Sequence, residues 1–72
     1  MLFDVETLVR LAAAGGGFKI NAEDFYVDDL IKIAVAAGSK QSRIVVTKAD
    51  EFDSDDLIRI AEAGKGCMLF EF

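Results

Sequence analysis

Phe52-Asp53-Ser54-Asp55-Asp56-Leu57-Ile58-Arg59-Ile60-Ala61-Glu62-Ala63-Gly64 decides the fold, because two other stretches of the chain repeat it. They are Phe3-Asp4-Val5-Glu6-Thr7-Leu8-Val9-Arg10-Leu11-Ala12-Ala13-Ala14-Gly15 and Phe25-Tyr26-Val27-Asp28-Asp29-Leu30-Ile31-Lys32-Ile33-Ala34-Val35-Ala36-Ala37. The shared pattern is Phe-x3-(Asp/Thr)-Leu-(Ile/Val)-(Arg/Lys)-(Ile/Leu)-Ala-x-Ala. Self-similarity on this scale marks a chain built from one recurring supersecondary unit.

Each position in the pattern has a physical reason. Leu8, Leu11, Ala12 and Gly15 fall at i, i+3, i+4 and i+7, as do Leu30, Ile33, Ala34, Ala37 and Leu57, Ile60, Ala61, Gly64. That spacing predicts three amphipathic helices, each with one apolar stripe. Val9, Ile31 and Ile58 widen the stripe toward a neighbouring helix. Glu6 and Arg10, Asp28 and Lys32, and Asp55 and Arg59 place an acid four residues before a base, an order that favours a helix. With Asp4 and Asp53 as N-caps, Phe3 and Leu8, and Phe52 and Leu57, have the spacing of a hydrophobic staple. Phe25 and Leu30 repeat that spacing, but Tyr26 stands at the cap position and cannot cap in the same way.

Glycine-bearing stops follow each helix at Gly15-Gly16-Gly17, Gly38-Ser39 and Gly64-Lys65-Gly66, consistent with left-handed C-caps. The short apolar segments after them, Phe18–Asn21, Arg43–Thr47 and Cys67–Phe72, read as strands. The polar stretch Ser39-Lys40-Gln41-Ser42-Arg43 has no counterpart in the other helix-to-strand turns.

The order αβαβαβ favours parallel strands joined by right-handed helical crossovers. Strand order 2-1-3 would cover both sheet faces with helices and require strands that are apolar throughout. These strands alternate instead: Phe18 and Ile20 against Lys19 and Asn21, Ile44 and Val46 against Val45 and Thr47. The expected fold is therefore α/β: three tandem α-β repeats (1–22, 23–49 and 50–72) in a single domain over 1–72. They form a three-stranded parallel sheet of order 1-2-3 with helices on one face, a miniature solenoid. The alternation of helix and strand along a stack is similar to that of leucine-rich-repeat proteins. Their Leu-x-x-Leu-x-Leu strand signature is missing, so no function carries over.

Composition narrows the function classes. At 72 residues and 53% hydrophobic the chain is a small domain, of a size that commonly has about 3–5 kcal/mol of stability from its core alone. One cysteine excludes an internal disulfide, and the absence of histidine excludes an ordinary zinc site. No metal or other cofactor is expected. A net charge of −5 with eight scattered basic residues argues against direct nucleic-acid binding. The first residues have no basic n-region and no apolar run is long enough to span a membrane, so a cytoplasmic location without membrane contact is expected.

Two surfaces remain as candidates. An uncovered sheet face would place Val45, Cys67 and Leu69 in an apolar centre, with Phe70 and Phe72 on a terminal edge strand. Parallel sheets are seldom left open on one side, so these residues form a candidate interface for self-association, a dimer being favoured. Acidic residues also gather at the ends of the strands, where Glu23, Asp24, Asp50, Glu51 and Asp53 form a candidate surface for a basic protein partner, including mimicry of nucleic-acid charge. The competing explanation is complementation of helix dipoles. Loose divalent-cation binding at Asp53-Ser54-Asp55-Asp56 lacks the Gly and terminal Glu of an EF-hand loop. The glycine runs leave helix C-termini, so they are not phosphate loops. Without histidine a nucleophile would need another base, and a structural role suits Cys67 better than a reactive one. The chain reads as a non-enzymatic interaction module, or alternatively as an acidic inhibitor or adaptor.

Overall fold

The computed structural model describes residues 4–72. They form α1 (Val5–Ala13), β1 (Phe18–Asn21), α2 (Val27–Lys40), β2 (Ile44–Thr47), α3 (Ser54–Gly64) and β3 (Met68–Phe70). A 3₁₀ turn follows each of the first two strands, at Ala22–Asp24 and Ala49–Glu51. The strands make one parallel sheet in the order β1-β2-β3. Phe18 lies opposite Ile44, which lies opposite Met68, and the register continues through Lys19, Val45 and Leu69 to Ile20, Val46 and Phe70.

Local chemistry sets the helix starts. Asp4 accepts the Thr7 N–H at 2.8 Å and caps α1, whereas Asp53 holds the same place before α3 without a capping bond. At Tyr26 the backbone is extended and the side chain makes no cap. The Asp29 carboxylate instead accepts the Tyr26 N–H at 3.3 Å, one half of a capping box, and α2 starts at the place the pattern gives it. Phe25 and Phe52 pack against the core where a staple would put them. Phe3 lies outside the described residues.

The core forms between the helix stripes and one sheet face. Leu30, Ile33, Ala34 and Ala37 of α2 are fully buried, as are Ile44 and Val46 of β2 and Ile60 of α3. Each large aliphatic side chain so buried contributes about 1.5–3 kcal/mol relative to exposure. In β2 burial alternates residue by residue, as expected when helices cover a single face. The outer helices depart from the expected stripe. Leu11, equivalent to Ile33 and Ile60, is 41% exposed, and Ile58, equivalent to Val9 and Ile31, is 55% exposed. The cause is position: α2 has a helix on each side, whereas α1 and α3 each flank a single helix among the described residues.

The helix stops correct the expectation at Gly38. α2 runs on through Ser39 and Lys40 and ends at Gln41, which adopts the left-handed conformation (φ 56°). A Cβ on Gly38 would sit 3.2 Å from the Gly64 carbonyl oxygen, so this glycine permits close approach of α2 to the end of α3. Gly64 likewise belongs to α3, and a Cβ there would collide with the Met68 side chain. Gly15, with φ 95°, fits the expected left-handed stop.

The Ser39–Arg43 stretch therefore lengthens α2 and then turns inward. Ser42 is 3% exposed, and its hydroxyl donates to the Ala12 carbonyl of α1 at 2.6 Å. At the other end of the chain β3 stops at Phe70, short of the expected Phe72. The Glu71 N–H still donates to Val46 at 2.8 Å, and the Glu71 carbonyl accepts from Ala49 at 2.9 Å. No helix among the described residues is long and apolar enough to cross a membrane.

Candidate functional site

Strand alternation sends Ile44, Val46 and Met68 toward the helices, so Lys19, Val45, Thr47 and Leu69 share the opposite face. Val45 at the centre is half-buried, and Leu69, directly opposite it in the register, is 41% exposed. Lys19 on β1 and Glu71 after β3 reach across the intervening strand and pair at 3.7 Å. Thr47 donates its hydroxyl to the Ile20 carbonyl at 3.2 Å, which ties β2 to β1 on this face. The result is a small apolar centre with a polar surround.

The five candidate interface residues do not all meet there. Val45 and Leu69 are neighbours on the uncovered face. Cys67 lies just before β3, half-buried, where it touches the core and lines a cleft of about 380 Å³ with Gly38, Ser42, Arg43 and Lys65. Phe70 is half-buried against the core on the helix-covered side. Phe72 follows the strand and is 80% exposed.

The acidic candidates are brought together more tightly. Glu23 and Asp24 belong to the first 3₁₀ turn and Asp50 and Glu51 to the second, and the two turns are neighbours. All four, with Asp53, are exposed. Glu23 pairs with Lys48 at 3.5 Å, and the Asn21 side chain accepts the Glu23 N–H at 2.8 Å. Asp28, Asp29, Asp55 and Asp56, by contrast, occupy the first turns of α2 and α3, where the helix dipole favours negative charge. Dipole complementation thus accounts for these four acids and leaves the 3₁₀ acids without that explanation, since the effect fades beyond the first turn.

Ion pairing on the helices differs from the expected i, i+4 pattern. Arg59 pairs with Asp56 at 3.6 Å, one residue nearer than Asp55. Asp4 has its carboxyl held below the ordinary value of 3.8, first by the Thr7 hydroxyl and then by the Thr7 N–H, with Arg10 adding attraction. Among the described residues no three His, Cys, Asp or Glu side chains converge on a metal position.

A further apolar surface lies outside the repeat pattern. Val5 and Val9 of α1 and Ile31, Val35 and Ala36 of α2 line an outer groove of about 700 Å³, with Glu6 and Lys32 on its walls. Val35 is 57% exposed. The i, i+4 series Val5-Val9 and Val27-Ile31-Val35 was the available signal, a second stripe beside the buried one. No protein-family model, curated protein or solved structure matches the chain.

Proposed function

We propose that this chain is a small non-enzymatic protein-interaction module that self-associates through its uncovered sheet face or its terminal edge strand. The single observation that carries this reading is the half-bare parallel sheet, whose Val45 and Leu69 lie without a covering layer among the described residues. Parallel strands are normally buried on both faces, so a second molecule is the economical cover. The repeat reading belongs with it. The β1-to-α2 and β2-to-α3 connections take the same form, a 3₁₀ turn with a buried alanine (Ala22 or Ala49) followed by a core phenylalanine, which supports a miniature solenoid of three units. A reducing cytoplasmic setting suits the free thiol of Cys67.

Light scattering coupled to gel filtration tests the reading. The expected result is a mass above the monomer for the native chain and a shift toward the monomer for Leu69→Lys. A strict monomer, unchanged by that substitution, refutes self-association.

The acids of the two neighbouring 3₁₀ turns, Glu23, Asp24, Asp50 and Glu51, favour a second role, engagement of a basic partner, with Asp53 at the start of α3 beside them. Asp50→Lys combined with Glu51→Lys should weaken such a complex, and added salt should weaken it further. Binding that survives both changes excludes this surface.

A further inference from the structure

The helix layer has two unlike flanks, and each carries what the other lacks. On the α1 flank Leu11 is 41% exposed and lines a shallow groove with Thr7 and Arg10. On the α3 flank Ile58 is 55% exposed, one turn from Asp55 and Glu62. Inside the molecule the same positions meet productively. Ile33 and Ile60, equivalent to Leu11, are fully buried, and Val9 and Ile31, equivalent to Ile58, are half-buried. The outer groove between α1 and α2 also sets an acid, Glu6, across from a base, Lys32. Their equivalents at the two outer flanks are Asp55 on α3 and Arg10 on α1.

The sheet repeats the relation. The Phe18 N–H of β1 donates to the carbonyl of Arg43, just before β2, and the Glu71 N–H after β3 donates to that of Val46 in β2, so both point inward. Backbone groups alternate in direction along a strand, so Lys19 of β1 and Phe70 of β3 turn theirs outward, at edges that pair with no other strand among the described residues.

We infer that the occupant of the α3/β3 edge is the α1/β1 edge of a second copy of this chain, docked head to tail. The contact continues the internal register. Met68, Leu69 and Phe70 would stand opposite Phe18, Lys19 and Ile20 of the second copy, as Ile44, Val45 and Val46 do within the molecule. Ile58 then covers Leu11 of the second copy, Asp55 meets its Arg10, and Glu71 lies beside its Lys19. Pairing of like edges is disfavoured, because a two-fold either runs the strands antiparallel or turns the helix layers to opposite faces, and so cannot continue the parallel register. The contact is heterologous, so each added copy presents a fresh edge and growth does not stop at two. This rests on the self-association reading and specifies its edge-strand route.

The test uses two single-edge variants, Leu11→Glu and Ile58→Glu, both at exposed positions where folding is little affected and circular dichroism verifies it. In sedimentation velocity the native chain should grow in mass with concentration, past the dimer. Each variant alone should remain a monomer. An equimolar mixture should double in mass and stop, because only the native α3 edge of one variant and the native α1 edge of the other can pair. A closed dimer unaffected by either substitution overturns the head-to-tail contact and leaves the sheet-face route standing. A monomer at every concentration overturns both.

Discussion

Ser42→Ala removes a hydroxyl that ties the end of α2 to the end of α1. Ser42 is 3% exposed, and its Oγ donates to the Ala12 carbonyl at 2.6 Å. Alanine fits the same space, so the change costs a hydrogen bond without opening a cavity of consequence. The Ala12 carbonyl keeps a second donor, the Gly15 N–H at 3.1 Å, so no buried acceptor is orphaned. The loss is therefore that of an ordinary buried hydrogen bond, about 0.5–1.5 kcal/mol. For a domain of this length it corresponds to a fall in Tm of roughly 4–8 °C per kcal/mol. Thermal unfolding followed by circular dichroism reads it directly. Ser39→Ala is the internal control: that exposed hydroxyl bonds only to Ala36 within its own helix, and its loss should move stability by no more than about 0.5 kcal/mol. Equal effects of the two substitutions, or none from Ser42→Ala, would refute the view that the Ser39–Arg43 stretch anchors α2 to α1.

Two further outcomes follow from burial and charge. Ile33→Ala should cost about 2–5 kcal/mol, enough to unfold much of the population at room temperature. Leu11→Ala, at the equivalent position of α1, should cost far less because Leu11 is already 41% exposed; urea titration of both compares them. Asp4 titrates below its ordinary 3.8 in the folded chain, so its contribution is complete above that value and is lost as pH falls through the lowered one. Asp4→Asn should therefore flatten the acid side of the Tm–pH curve; an unchanged acid limb would show that this carboxylate is not linked to folding.

Much of the fold was legible because its cause is periodic. The i, i+3, i+4, i+7 stripe located all three helices, and alternation in Ile44-Val45-Val46-Thr47 selected sheet order 1-2-3. What escaped depends on neighbours in space. Leu11 and Ile33 occupy one pattern position, yet only the second has a helix on that side. Gly38 looked like a stop, but its lack of a side chain serves the approach of Gly64, a contact 26 residues away along the chain. The candidate site divides along the same line. Val45 and Leu69 followed from alternation, whereas the Lys19–Glu71 bridge over β2 required the register.

The 1-2-3 order also governs how the chain finds its structure. Phe18 pairs with Ile44 and Ile44 with Met68, so each strand meets only the strand about two dozen residues away in sequence. Among the described residues no strand pairing joins β1 to β3, and the entropy of loop closure stays modest at every step. Parallel sheets are slow to form when their pairings are remote, and here none is. The middle unit, α2 with β2, touches both neighbours and is the natural nucleus. Substitutions there should slow folding, while those on α1 and β3 should chiefly hasten unfolding.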